Sequence, residues 1–339
     1  MEKFVMISLS KSAVWIPNQY EDAAYIAKES GLPEVVVREK MGIEKKCRAP
    51  KKMNTSEMAV RAAKEVLKGL DPSSIDLVIW TGSEFKDHPV WSAGIFVQEQ
   101  LGCKKAWAFD LSSRCSSNVV GIKVAKSLML QDSSLKRVLL CGGHKTGELV
   151  NYKDSTSRFL YNLSDGGAAI LLERGEKNPI LESSVITDGA FSKDVIIPAG
   201  GTAMPWSEKS EDYCLTCPDI EGMRQRLAER SLDNFMAVIK EAAEASLPHQ
   251  PVDYLALLHM KRSAHDEILN RLELKQEQSI YLNEYGHFGA PDQVLSLGLA
   301  EEFLKPGSHV VLASAGIGYT WSALSLRWDE KTFTLVQGE

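Results

Sequence analysis

Several things are scarce in this sequence, and each scarcity excludes a class of protein. Only 6 of the 339 residues are cysteine, and their spacing forms no paired framework, which excludes a small disulfide-built scaffold and fits a reducing compartment. Positive charge is not in excess: 39 lysines and arginines stand against 45 aspartates and glutamates, a net charge of −6. A surface of that balance is not built to coat nucleic acid or an anionic membrane. Uninterrupted apolar runs are lacking too. The longest, 309–326, approaches the length of a membrane span but is broken by Ser314, Gly316, Gly318, Thr320 and Ser322, so it reads as two buried strands joined by a glycine turn. The stretch 1–11 has only a short apolar run between charges and reads as a first strand rather than a signal peptide. The expectation is a cytoplasmic protein with no nucleic-acid or membrane partner.

What is present is an alternation of short apolar runs with helical patterns. Runs at 75–80, 107–111, 137–141 and 168–172 are separated by helix-like stretches at 56–70 and 116–130, the order of an α/β protein whose sheets are covered by helices. The second half repeats the scheme: helix-like 234–246, a strand at 252–258, helix-like 264–272 and 293–303, then strands at 309–312 and 323–328. Val78 and Leu139 are 61 positions apart and Ala256 and Val311 are 55 apart, so order and approximate spacing both recur, as in an internal duplication. Between the halves, 175–219 has no helical period and carries Pro179, Pro198, Pro205 and Pro218. Irregular segments of that length inside a compact unit are usually functional. The division expected is 1–174 with the candidate nucleophile Cys115, 175–219 over the site, and 220–339 with the candidate site histidines His259 and His287.

Three positions draw attention as chemistry. Cys115 follows Phe109-Asp110-Leu111-Ser112-Ser113-Arg114 and precedes a long helix; the unpaired amides and positive dipole end of a helix favour a thiolate there. His259 ends the apolar run 255–258, where loops gather and a general base or oxyanion donor can stand. His287 sits between Gly286 and Gly289 in a tight loop before a helix. Cys214-Leu215-Thr216-Cys217 has metal-like spacing, but with no second pair it reads as packing, as does Cys141-Gly142-Gly143-His144, so no metal is expected.

Taken together, the elbow 110–115, the turn Ser164-Asp165-Gly166-Gly167, His259, the loop Tyr285-Gly286-His287-Phe288-Gly289, the closing Ala315-Gly316-Ile317-Gly318 and the early Met41-Gly42-Ile43 resemble, in order and spacing, the β-ketoacyl-acyl-carrier-protein synthase III family. The resemblance covers about residues 3–328. It implies the thiolase fold, a duplicated five-layered α-β-α-β-α arrangement, usually a homodimer, with a heteromer with a homologue as the other expectation. It also implies that Cys115 takes an acyl group from a thioester and that a malonyl-type thioester then decarboxylates and condenses with it. The family pattern His-Gly-Asn reads Tyr285-Gly286-His287 here, so the resemblance implies a Cys115, His259, His287 set, with the N–H groups of Cys115 and Gly316 as oxyanion donors. No covalently bound cofactor is implied; coenzyme A or phosphopantetheine thioesters enter as substrates, on acyl-CoA or an acyl-carrier protein. The family's adenine-stacking tryptophan is Val36 here, and the residues after His259 are Met260, Lys261 and Arg262. A basic run at 38–52 has a net charge of +5 in an acidic protein, so Lys40, Arg48, Lys261 and Arg262 are the expected contacts to a thioester phosphate or an acidic carrier. Acyl transfer without decarboxylation, and a quiet subunit paired with a homologue, are the alternative functions.

Overall fold

The computed structural model describes residues 5–338. In chain order the elements are β1 (Ile7–Pro17), β2 (Gln19–Asp22), α1 (Ala23–Ser30), β3 (Lys45–Arg48), α2 (Thr55–Val66), β4 (Leu77–Trp80), α3 (Ala93–Leu101), β5 (Trp107–Asp110), α4 (Ser117–Gln131), β6 (Arg137–Lys145), β7 (Asp165–Arg174), β8 (Ile180–Thr187), α5 (Ile220–Ser246), β9 (Tyr254–Leu257), α6 (Arg262–Arg271), α7 (Asp292–Ala300), β10 (Ser308–Gly316), β11 (Thr320–Trp328) and β12 (Phe333–Gly338). Residues 1–4 of the expected first strand lie outside the described residues.

Ten of these strands make two sheets, β12-β1-β7-β6-β4-β5 and β8-β11-β10-β9. Pairing repeats between them: β1 is antiparallel to β7, β7 to β6, and β6 parallel to β4, while β8 is antiparallel to β11, β11 to β10, and β10 parallel to β9. The fold is therefore a duplication in hydrogen bonds as well as in sequence. Its central β strands are apolar on both faces, Leu77, Val78, Ile79 and Trp80 all being buried, because helices cover both sides. One core, holding Ile79, Ile122, Leu140, Leu295 and Leu312, fills the layer of α4 and α7 between the sheets. A second lies under α2 and α3, and a third under α5 and α6. That is five layers.

Two strands cross the expected divisions. β8, inside 175–219, is the outer strand of the second sheet, and β12 from the far end of the chain pairs in parallel with β1 in the first. The helix expected at 234–246 begins earlier, at Ile220, where the Asp219 side chain accepts the Gly222 N–H and caps it. The chain between β8 and α5 still runs without a long regular element and walls the cavity described below.

Candidate active site

β5 ends at Asp110 and α4 starts at Ser117, leaving a short corner in which Arg114 takes a φ of 53°. A non-glycine residue in that region is strained and is held only by its surroundings. The corner is fixed from several sides: Ser117 Oγ accepts the Ser113 N–H and donates to the Arg114 carbonyl, and Ser116 Oγ donates to the Thr320 carbonyl. It holds Cys115 partly buried against the third core and in the wall of a cavity. Gly316, at the end of β10, backs directly onto the corner; a Cβ there would meet the Ser113 carbonyl and come 3.2 Å from the Cys115 nitrogen. Only glycine fits that approach.

The loop carrying His287 belongs to the second half but is stitched to the first. The His287 N–H donates to the Asn162 carbonyl at 2.7 Å, the Ser164 N–H donates to the His287 carbonyl at 2.9 Å, and Ser164 Oγ donates to the Tyr285 carbonyl. Asn118, on α4, donates to the Ala290 carbonyl at 2.8 Å. These bonds place His287 Nε2 3.2 Å from Cys115 Sγ. Its Nδ1–H donates to Asp292 Oδ2 at 2.6 Å, since a carboxylate can only accept. Asp292 is wholly buried at the start of α7 and also accepts the backbone N–H groups of Phe288 and His259. Burial opposes a charged ring at His287, but the Asp292 carboxylate and then the Cys115 sulfur outweigh it and hold its pKa well above the ordinary histidine value. The arrangement has the geometry of a Cys115–His287–Asp292 relay, in which the imidazole can take the thiol proton and the carboxylate fixes its tautomer.

His259 is brought to the same cavity but into another role. Its Nε2–H donates to the Gly42 carbonyl at 3.0 Å, and its Nδ1 accepts from Asn162 Nδ2 at 2.9 Å. Both ring nitrogens are thus engaged by protein. Burial lowers its pKa to about 4, so the ring stays neutral. The expected set Cys115, His259, His287 is assembled around one cavity, yet in this arrangement His259 has no free N–H to offer a substrate, and the third group of the relay is Asp292. Sequence reasoning passed over Asp292; the signal for it was an aspartate just after Pro291, five positions beyond His287 at a helix start.

The cavity is about 1470 Å³ and is lined by Cys115, His144, His259 and His287 on one side and by Ile196, Leu215, Met223, Leu227 and Phe235 on another. Val36 lines it, as do Lys40 and Lys261, which have no ion-pair partner among the described residues. Arg48 and Arg262, the other two expected thioester contacts, are not in its wall. Arg48 is paired with Glu21 and Asp165, and Arg262 with Asp266 while lying over the Tyr281 ring. The basic run is largely neutralised: Arg38 meets Glu34 and Glu44, Lys45 meets Glu284, and Lys46 is fully buried against Glu21, its pKa lowered by burial to about 8. Trp91 packs on Phe96 and is not in the cavity wall. Cys214 and Cys217 are free thiols, and among the described residues no cluster of three or more potential ligands is placed to hold a metal.

Comparison with known proteins agrees with the fold. The 3-oxoacyl-[acyl-carrier-protein] synthase III family model matches residues 109–189, which include Cys115, and its C-terminal companion matches 242–328, which include both His259 and His287. By these two matches the chain is similar to the synthase III family of condensing enzymes. It is similar to the β-ketoacyl-[acyl-carrier-protein] synthase III of Clostridioides difficile, with 27% identity over 93% of this chain and 96% of that protein. It is similar also to that of Symbiobacterium thermophilum, with 29% identity over 86% and 89%. Among solved structures, synthase III from Pseudomonas aeruginosa superposes with a TM-score of 0.84 at 20% identity, covering 96% of this chain and 99% of that one. The priming β-ketosynthase of the R1128 polyketide pathway gives 0.83 at 16%, covering 96% and 97%. This synthase III-like chain thus has the thiolase fold, and no helix among its described residues is long and apolar enough to cross a membrane.

Proposed function

We propose that this synthase III-like enzyme carries acyl groups on Cys115 and joins them to a malonyl-type thioester by decarboxylative Claisen condensation. The observation that carries the acylation step is the 3.2 Å contact of Cys115 Sγ with His287 Nε2, backed by Asp292 at 2.6 Å. His287 takes the thiol proton, sulfur attacks the acyl thioester carbonyl, and the first thiol leaves with a proton. The oxyanion of that step lies between the Cys115 and Gly316 backbone. The extender then loses carbon dioxide, its enolate carbon attacks the acyl carbonyl, and the Cys115 sulfur leaves. Coenzyme A or phosphopantetheine brings both thioesters, with Lys40 and Lys261 facing the phosphates. Support for condensation comes from the relatives, whose names are those of 3-oxoacyl synthases.

A second reading, acyl transfer to a hydroxyl or amine without decarboxylation, is favoured by the engagement of both His259 nitrogens. Decarboxylation needs donors on the extender carbonyl, whereas simple transfer needs only the His287 base. Intact-protein mass spectrometry after incubation with acyl-CoA should show an adduct that Cys115→Ala eliminates; an adduct persisting in that variant sinks both readings. Carbon dioxide released from malonyl thioester in step with product supports condensation, and product without it supports transfer.

The assembly we propose is a homodimer through β5. That strand is the sheet edge, with Trp107 half exposed and stacked on Phe109, and the nearby Ile95, Phe96 and Val90 are exposed as well. An unpaired edge beside apolar side chains is a pairing template. Light scattering should give twice the chain mass, and a monomer at working concentration would reject this assembly.

A further inference from the structure

Three histidines line the catalytic cavity while being almost wholly buried: His144, His259 and His287. His287 is committed to the thiol and Asp292, and His259 to Gly42 and Asn162. His144 is different. It stands near the end of β6, opposite Gly166, and is 4% exposed, yet its Nε2 has no hydrogen-bond partner. Leaving a buried ring nitrogen unmet is destabilising, so such a group in a folded protein calls for an explanation. The backbone around it is shaped to hold this ring at the site: a Cβ on Gly289, two residues from His287, would come 2.8 Å from His144 Nδ1, and one on Gly143 would run into the Thr55 carbonyl. The glycines of Cys141-Gly142-Gly143-His144, which by sequence read as packing, are what let the strand bring the histidine this close.

We propose that His144 is a substrate-contacting residue whose neutral imidazole donates a ring N–H hydrogen bond to the thioester carbonyl oxygen of the second substrate, where enolate charge develops. The inference rests on the reading of Cys115 as the acyl carrier. Neutrality suits the role: burial, with His287 acting in the same direction, lowers the pKa of His144 to about 3, so the ring neither repels an imidazolium at His287 nor gives up its proton to the enolate. In this arrangement His144 supplies the donor that His259, tied at both nitrogens, does not.

The test separates the two half-reactions in the full-length enzyme, using acyl-CoA as donor and malonyl-CoA or a malonyl carrier thioester as acceptor. His144→Phe removes both ring nitrogens and His144→Gln restores an N–H donor. Expected for His144→Phe is Cys115 acylation within about threefold of wild type with discharge of the adduct slowed about 10²–10³-fold, the usual loss for one such donor, and His144→Gln recovers at least tenfold of it. Discharge at the wild-type rate in His144→Phe, or equal losses in acylation and discharge, overturns the proposal. The second measurement does not depend on folding of a variant or on turnover: the ring 15N resonances of His144 in the wild-type enzyme should shift when a malonyl-amide analogue that cannot decarboxylate is added. Unshifted resonances at saturating analogue overturn it. Absence of any Cys115 adduct in wild type would instead reject the acyl-carrier reading, so the two failures are told apart.

Discussion

His287 and His259 flank one carboxylate and are 7% and 2% exposed, yet their pKa values move in opposite directions, His287 well up and His259 down to about 4. Burial is common to both, so it does not explain the divergence. The partner does: His287 gives its Nδ1–H to the Asp292 carboxylate, whereas His259 meets that carboxylate only through its backbone N–H and points its ring at a carbonyl and an amide. One corner is built to move a proton and the other to stay neutral.

The largest test of that contrast is Asp292→Asn. The amide keeps the shape but offers no charge and permits the wrong His287 tautomer, so Cys115 acylation should slow about 10³–10⁴-fold, by analogy with loss of a triad carboxylate; rapid-quench mass spectrometry reads it, and a loss below tenfold would dissolve the relay. Next is His259→Phe. With its ring fully spent on protein, the change should leave acylation within about threefold while costing about 1–3 kcal/mol of stability, as Gly42 and Asn162 lose their partner. Urea unfolding and steady-state rates measured together decide it, and a hundredfold loss of rate in a stably folded variant would return His259 to the role of donor.

A pH series sharpens the comparison further. A histidine whose folded pKa is lowered contributes stability above its unfolded value of about 6.5 and loses it as pH falls toward the folded value. For His259 that window runs from pH 6.5 down to about 4, with a slope of about 1.4 kcal/mol per pH unit. His287, with its raised value, contributes below about 6.5 and loses its share as pH rises through the folded value. Stability of His259→Phe should accordingly fall less steeply than wild type between pH 6.5 and 4, and an unchanged slope would contradict a neutral His259. The smallest effect is expected at the rim: Lys40→Ala and Lys261→Ala should raise the KM for the thioester a few-fold with kcat unchanged, an effect that weakens with added salt, whereas Arg262→Ala, outside the cavity, should leave KM alone.

Much of the fold was legible in sequence because strand runs, glycine turns and helix periods are local. The duplication could be read from 61- and 55-residue spacings, and the hydrogen-bond pattern of the two sheets repeats it. Cys115 and His287 stood out by their positions at an elbow and between glycines. What misled was charge: the run 38–52 looked like a basic face, but beyond the local pairs of Arg38 with Glu34 and Glu44 its ion pairs go to Glu21, Asp165 and Glu284, residues distant in sequence or on another element.

Residue type and short-range order by themselves determined the two-sheet α/β class, the strand-to-helix corner that presents a thiol, and the glycine loop that presents a histidine. Only the tertiary structure decided what each histidine does. Asp292 becomes the carboxylate of the relay because α7 packs between the sheets with its first turn under His287, and His259 is removed from that role by a carbonyl 217 positions away in the chain. An imidazole is the same group at all three buried positions; which nitrogen carries a proton, and whether it is free to use it, is set by neighbours that only folding brings together.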